Sequence, residues 1–357
     1  MTADAVGGVW TYSLELARAL ASKGVKICLA TMGPVPSPDQ RAQASAIPGL
    51  ELRASDYQLE WMQSPWPSVD AAGDWLLGLE KEFRPDLIHL NGYVHGTLAW
   101  NHPVIVVAHS CVCSWWNAVR RSEAPAEWNE YRWRVREGLL AADARVAVSG
   151  FMASELQRWY GQPSDVRVIY NARNASAYRP GKKQDFVLSC GRLWDEAKNI
   201  EALDQAAGCS LWPVAVAGDA KHPAGRDAQF EFVYPLGQVS ATELRSWYSR
   251  ASIYALPARY EPFGLSALEA GLSGCALVLG DTPSLREIWG DSALFVPPED
   301  AEAVAVAINL LARKQGLREQ MSERARSRAL SYSTDRMLNS YLEVYSALIA
   351  GKTAPCI

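Results

Sequence analysis

The stretch SIYALPARYEPFGLSALEAGLSGCALVLG, residues 252–280, reads as strand, loop, helix, strand. SIYALP (252–257) and CALVLG (275–280) are short apolar runs, as expected of strands covered on both faces of a parallel sheet. Between them Pro262 biases Glu261 toward extended backbone, and a helical run begins near Gly264. Glu261 therefore falls in the loop before a helix N-terminus, and Glu269 lies about a turn and a half inside that helix. A helix start presents free N–H groups and positive dipole, which suits a phosphate. One segment thus offers two acidic acceptors for hydroxyls with an anion seat between them.

The same alternation runs through the chain. Further strands are predicted at VKICLAT (25–31), DLIHL (86–90), VIVVAHS (104–110), RVAVS (145–149), VRVIY (166–170), DFVLSCG (185–191), WPVAVAG (212–218) and SALFVP (292–297). Helical patterns lie between them, such as Tyr12, Leu16, Ala19 and Leu20 on one face, ending at Lys23-Gly24. The pattern predicts two doubly wound α/β units. The polar stretch NARNASAYRPGKKQD (171–185) reads as the linker, giving domains at 1–173 and 174–333. A last helix runs from about Thr334 to Ala350, and GPVPSP (33–38) reads as a Pro-rich loop.

Composition narrows the functional classes. At 357 residues the chain is long enough for two cores. Its net charge of −4 argues against a nucleic-acid partner. No apolar run is long enough to span a bilayer, and the polar first residues do not read as a secretory signal. The seven cysteines are scattered and mostly sit in apolar strands, which points to reduced thiols and a cytoplasmic location. Fourteen tryptophans are many, and Trp61, Trp66, Trp115, Trp116, Trp128 and Trp133 fall at loops or loop-edge helices. They either pack between layers or offer a stacking surface for sugars or a lipid-linked acceptor.

Candidate chemistry gathers at strand ends. Arg192 and Lys198 follow DFVLSC in a loop entering a helix, where two cations could neutralise a pyrophosphate at about 1.5–3 kcal/mol per charge-assisted bond. They could equally be a surface pair flanking Asp195 and Glu196. Gly7 and Gly8 precede a helix, a weak signal that usually marks only a turn. His109 ends VIVVAHS, and open α/β sheets bind ligands beyond such ends; Ser110 and Asn91 are lesser candidates there. His109-x-Cys111-x-Cys113 has no second ligand pair at finger-like spacing, and no Asp-x-Asp pair occurs, so neither a metal nor a cofactor is expected. The basic, aromatic segment 116–140 reads first as a solvated helix with glutamate counter-charges, and second as an acceptor or anionic-lipid surface giving peripheral membrane contact.

The residues 258–274 resemble the Glu-x7-Glu motif of retaining glycosyltransferases, in particular glycosyltransferase family 4 with the GT-B fold. SCGRLWDEAKN (189–199) resembles the family's Arg-x5-Lys signature and VAVAGDA (214–220) its next strand and glycine turn. AVGGVWTYSLELARALASKGV and VIVVAHS resemble its glycine loop and its strand ending in histidine. The resemblance implies two Rossmann-like domains facing a cleft, with the final helix (334–357) crossing back to the first domain. It further implies metal-independent, retaining transfer of a sugar from a nucleotide-diphosphate sugar to a hydroxyl of a glycan or lipid-linked glycan. Arg192 and Lys198 would bind the diphosphate, with backbone N–H groups of Phe263, Gly264 and Leu265 lining a phosphate. Glu261 would hold the donor sugar and Glu269 the ribose. Gly7 and Gly8 would approach donor phosphate and acceptor, and His109 the transferred sugar. The family's chains open with a buried strand before the glycine loop, whereas this sequence starts almost at the loop, so a truncated or misassigned start is expected. Another GT-B enzyme, such as a sugar-nucleotide epimerase or a phosphorylase, and a non-catalytic sugar-nucleotide binder remain alternatives.

Overall fold

A computed structural model describes residues 1–161, 165–221 and 227–353, and its contacts divide the chain into two compact units. The first comprises Met1–Asn117, Ser122–Asn171 and Thr334–Ile357, and the second Ala118–Arg121 and Ala172–Ser333. Cys356 lies outside the described residues.

In the first unit the strands are β1 (Thr2–Asp4), β2 (Ile27–Met32), β3 (Leu50–Ala54), β4 (Ile88–Leu90), β5 (Val104–Ala108), β6 (Ala144–Ala147) and β7 (Arg167–Val168). The helices are α1 (Gly8–Ala21), α2 (Pro38–Ser45), α3 (Trp66–Phe83), α4 (Val112–Arg120), α5 (Asn129–Ala141) and α6 (Gly150–Tyr160). Two parallel ladders form, β1-β2-β3 and β4-β5-β6-β7. Asn91, just past β4, links them: its backbone N–H donates to Thr2 Oγ1 at 2.9 Å and its side-chain amide to Thr2 O at 2.7 Å. Joined there, the strands run 3-2-1-4-5-6-7, with the order reversing between β1 and β4. β5 is wholly buried, as its VIVVA sequence demands.

In the second unit β8 (Gln184–Cys190), β9 (Val214–Ala217), β10 (Tyr234–Gly237), β11 (Ala251–Leu256), β12 (Ala276–Gly280) and β13 (Leu294–Val296) form one parallel sheet of order β10-β9-β8-β11-β12-β13. Its helices are α7 (Ile200–Ala207), α8 (Ala241–Arg250), α9 (Leu265–Leu272), α10 (Pro283–Trp289), α11 (Ala301–Arg313) and α12 (Gln315–Leu330). Alternate strand residues Val187, Val216, Ile253, Ala255 and Val278 share one core with Leu203, Val304, Ile308 and Met321. Each large aliphatic side chain buried there contributes about 1.5–3 kcal/mol. Here too the strand order reverses, between β8 and β11, which is where open α/β sheets leave a crevice for ligands.

The final helix α13 (Thr334–Thr353) packs on α1 within the first unit, with Tyr12 OH donating to Tyr341 OH at 2.6 Å. Three strands were not anticipated from sequence: β1, β3 and β10. The strand expected to be missing before the glycine loop is present in short form as β1, three residues paired in parallel with β2. Part of the Pro-rich loop instead opens a helix, α2, capped by reciprocal bonds between Ser37 and Gln40. No helix among the described residues is long and apolar enough to cross a membrane.

Candidate functional site

The second unit places its charged residues at the β8/β11 reversal. Just past β8 comes Gly191, whose φ of +154° and neighbour Gly218 at +145° let two strand ends touch main chain to main chain. Arg192 follows, and its guanidinium binds Asp195 Oδ2 at 2.6 Å. Burial alone would raise the Asp195 carboxyl, but Arg192, then Lys198, hold it below its ordinary value. Asp195 also orders the loop, accepting from the Ala197 N–H at 3.0 Å through Oδ1. Asn199, in left-handed conformation at the start of α7, anchors the loop by donating to Pro257 O at 2.9 Å and Pro298 O at 2.6 Å. Lys198 is thereby carried to the end of β11, where its ammonium ion-pairs with the Glu261 carboxylate.

Beyond Glu261 the chain turns through Gly264, whose φ of +91° favours glycine, into α9. Phe263 is buried edge-on against Tyr332, 5.6 Å between ring centroids, which fixes the approach to the helix. The N–H groups of the first turn of α9, beginning at Leu265, have no partner within the helix itself. Glu269 is the fifth residue of α9 and is buried. Its Oε1 accepts from Tyr178 OH at 2.9 Å and lies 2.8 Å from Arg173 Nε. Burial and then the Glu269 charge raise the Tyr178 phenol, so it stays a neutral donor. No hydrogen bond or ion pair among the described residues joins Glu269 to the Lys198–Glu261 pair. The two are neighbours through the buried Cys190, whose thiol burial pushes up to about 12 and which senses both Glu269 and Lys198. Arg192, Lys198, Glu261, Phe263, Gly264, Leu265 and Glu269 therefore share one sheet edge.

In the first unit the corresponding edge gathers Gly7, Gly8, Asn91 and His109. Gly7 caps α1 at φ +84° and, with Gly8, is exposed. His109, just past β5, places Nε2 2.9 Å from Asn91 Oδ1, and its ring stacks edge-on against Tyr12, 4.5 Å between centroids. Desolvation lowers His109 to about 3, so the ring is neutral near pH 7. Ser110 is exposed, and its carbonyl accepts from Tyr93 OH at 2.7 Å.

The other sequence candidates fare differently. Cys111 is buried and hydrogen-bonded with Ser114, and burial pushes its thiol up to about 11, away from the thiolate that a metal would require. Among the loop-edge tryptophans only Trp61 and Trp133 are strongly exposed, at 39% and 60%, while Trp66 lies under the Arg134 guanidinium. Arg134 and Arg136 pair with acidic neighbours, Asp70, Glu130 and Glu137, as a solvated helix does. Arg173 and Tyr178 were missed, because they sit in the stretch read as a polar linker. An arginine and a tyrosine five residues apart in so polar a segment was the available signal.

The description Glycosyltransferase Family 4 matches residues 6–176, and Glycosyl transferases group 1 matches residues 172–328. A glycogen synthase of Mycobacterium tuberculosis is 26% identical over 402 residues, covering 98% of this chain and 93% of that protein. A D-inositol 3-phosphate glycosyltransferase of Xylanimonas cellulosilytica is 26% identical over 404 residues, covering 97% and 92%. Among solved structures, sucrose-phosphate synthase from Thermosynechococcus elongatus superposes with a TM-score of 0.80 at 20% identity, covering 98% of this chain and 99% of that one. The Anabaena protein HepE, solved with UDP and glucose, gives 0.74 at 14% identity, covering 97% and 99%. Two doubly wound α/β units of this kind are the GT-B fold. The two family models make the chain a glycosyltransferase with a family 4 domain followed by a group 1 domain.

Proposed function

We propose that this glycosyltransferase moves a hexose from a nucleotide-diphosphate sugar to a hydroxyl of a glycan or lipid-linked glycan, with retention of anomeric configuration and without a metal ion. The observation that carries this reading is the convergence of Arg192, Lys198 and Glu261 at the β8/β11 edge. Without donor, Lys198 and Glu261 neutralise each other. A diphosphate arriving at Arg192 and the start of α9 takes Lys198 as its counter-ion, and Glu261 then accepts hydrogen bonds from hydroxyls of the sugar. Glu269, held by Arg173 and Tyr178, receives the ribose hydroxyls. As the bond from the anomeric carbon to the phosphate oxygen breaks, its electron pair passes to the diphosphate, whose growing charge the two cations stabilise. The acceptor oxygen attacks from the same face and its proton passes to the departing phosphate. That route keeps the configuration without a protein nucleophile.

His109, Gly7 and Gly8 serve the transferred sugar and the acceptor at the edge of the first unit. The UDP named with HepE makes UDP-sugars the first donors to try. The described cysteines are free thiols, which supports a reducing, cytoplasmic setting, and a lipid-linked acceptor would draw the protein peripherally to a membrane. The test incubates the protein with labelled UDP-, GDP- and ADP-sugars, a panel of glycan acceptors and EDTA, and reads product mass and anomeric configuration by NMR. A glycosylated product of unchanged configuration that is insensitive to EDTA supports the proposal. Epimerised donor without acceptor, consumption of inorganic phosphate, or tight donor binding with no turnover under any acceptor overturns it.

A further inference from the structure

One amide at the edge of the first unit determines where the protons of two histidines lie. Asn91 Nδ2 donates to the Thr2 carbonyl at 2.7 Å and to Ser13 Oγ at 3.2 Å. A main-chain carbonyl can only accept, so the orientation of the Asn91 amide is fixed. Its Oδ1 faces the other way, 2.9 Å from Nε2 of His109 and 3.2 Å from Nε2 of His89. An amide oxygen carries no proton, so both imidazoles must hold hydrogen at Nε2. On His89 the remaining nitrogen, Nδ1, accepts from Tyr345 OH at 2.6 Å. On His109, Nδ1 has no hydrogen-bond partner among the described residues.

The geometry points to Asn91 as a positioning residue that locks His109 in the Nε2–H tautomer and presents the Nδ1 lone pair as an acceptor for a substrate hydroxyl. His89 fills the second lone pair of Oδ1, and Tyr345, reaching in from α13, holds His89. The groups facing the two rings are Tyr12 from α1, Tyr341 and Tyr345 from α13, and the amino terminus, whose charge acts on His89. The tyrosines are buried with raised pKa and stay neutral, and burial keeps both histidines near 3. The two imidazoles and the three phenols are therefore uncharged near pH 7, and proton placement decides what His109 can do.

This inference rests on His109 contacting substrate, as proposed above, and its test separates the two. 15N spectra of the histidine-labelled full chain should show His109 protonated at Nε2 and bare at Nδ1, without titration between pH 5 and 8. A proton at Nδ1, or titration in that range, overturns the lock whether or not transfer is ever detected. Asn91→Asp places a carboxylate against both rings and should convert His109 to imidazolium. Transfer should then fall about 100-fold or more, with donor affinity by calorimetry changed little. Should wild-type protein transfer sugar and the folded Asn91→Asp chain match its turnover, the positioning role is lost while the enzymatic reading stands.

Discussion

Lys198 Nζ meets Glu261 Oε2 across 63 residues of sequence, and their side chains are only 16% and 12% exposed. Removing one partner leaves the other charge largely buried, which costs about 3 kcal/mol or more. Lys198→Met and Glu261→Gln should each lower the urea midpoint, with the larger loss in the lysine variant because it strands a carboxylate. The double variant should lose less than the sum of the two. Each single change, like Lys198→Ala or Glu261→Ala, should cut transfer by orders of magnitude. Near-normal turnover in both alanine variants would show that the pair is structural only.

Gly218 has φ +145°, and a methyl group built there would lie 1.8 Å from the Gly191 carbonyl oxygen. No rotamer can relieve a clash with main chain. Gly218→Ala must force the ends of β8 and β9 apart and displace the loop that begins at Arg192. It should cost about 3 kcal/mol or more and abolish donor binding. Gly237→Ala is the control: at φ +68° with nothing within 4 Å, it should cost only about 1–2 kcal/mol. Equal losses in chemical denaturation would rule out the close approach as the cause.

These contacts show which features local sequence can reveal. β11 and β12 were legible because every residue in them is buried, so composition alone marks them. β3 (LELRA) and β10 (YPLG) are edge strands that carry charges or a proline and leave residues exposed, which erases the apolar signal. β1 is only three residues long, and on its β4 side the Asn91 side chain replaces part of a ladder. The capping pattern Ser37-Pro-Asp-Gln40 was readable, but the surrounding prolines argued for a loop. Arg192, Lys198, Glu261 and Glu269 stand out in the sequence through their spacing within strand–loop–helix units and through the family resemblance. The hold of Arg173 and Tyr178 on Glu269 does not, since Tyr178 lies 91 residues from its partner and only tertiary folding joins them.

Lys183 is a structural cation distinct from Arg192 and Lys198. Its ammonium donates to the carbonyls of Ser273 at 2.7 Å, Ala251 at 2.8 Å and Tyr248 at 3.3 Å. These belong to the ends of α8 and α9, where helix carbonyls lack intrahelical partners. Lys183→Met keeps the aliphatic stem, takes the ammonium from the Ser273 carbonyl and leaves those of Tyr248 and Ala251 with only the Cys275 thiol, for an expected loss of about 2–3 kcal/mol. Thermal unfolding should show a clear drop in Tm while transfer at low temperature persists. An unchanged Tm would mean that water replaces the ammonium without penalty.

Glu60 gives the stability a pH dependence of its own. Its carboxylate accepts from the N–H groups of Tyr93 and Val94, each at 3.1 Å, yet burial outweighs these bonds and raises the group from 4.5 to about 7. The folded state therefore holds this proton more tightly than the unfolded chain. Its contribution is fully present below pH 4.5 and is lost as pH rises through about 7. His89 and His109 act in the opposite sense: both are lowered from 6.5 to about 3, so their contribution fades as pH falls below 6.5. Glu60→Gln keeps an oxygen for the two N–H donors and has no proton to lose. Compared with wild type across pH 5 to 8, the variant should lack the loss of Tm that Glu60 causes between pH 5 and about 7 and should fall more steeply on the acid side, where only the histidine effect remains. Parallel curves for the two proteins would mean that Glu60 is solvated and titrates in the ordinary carboxylate range.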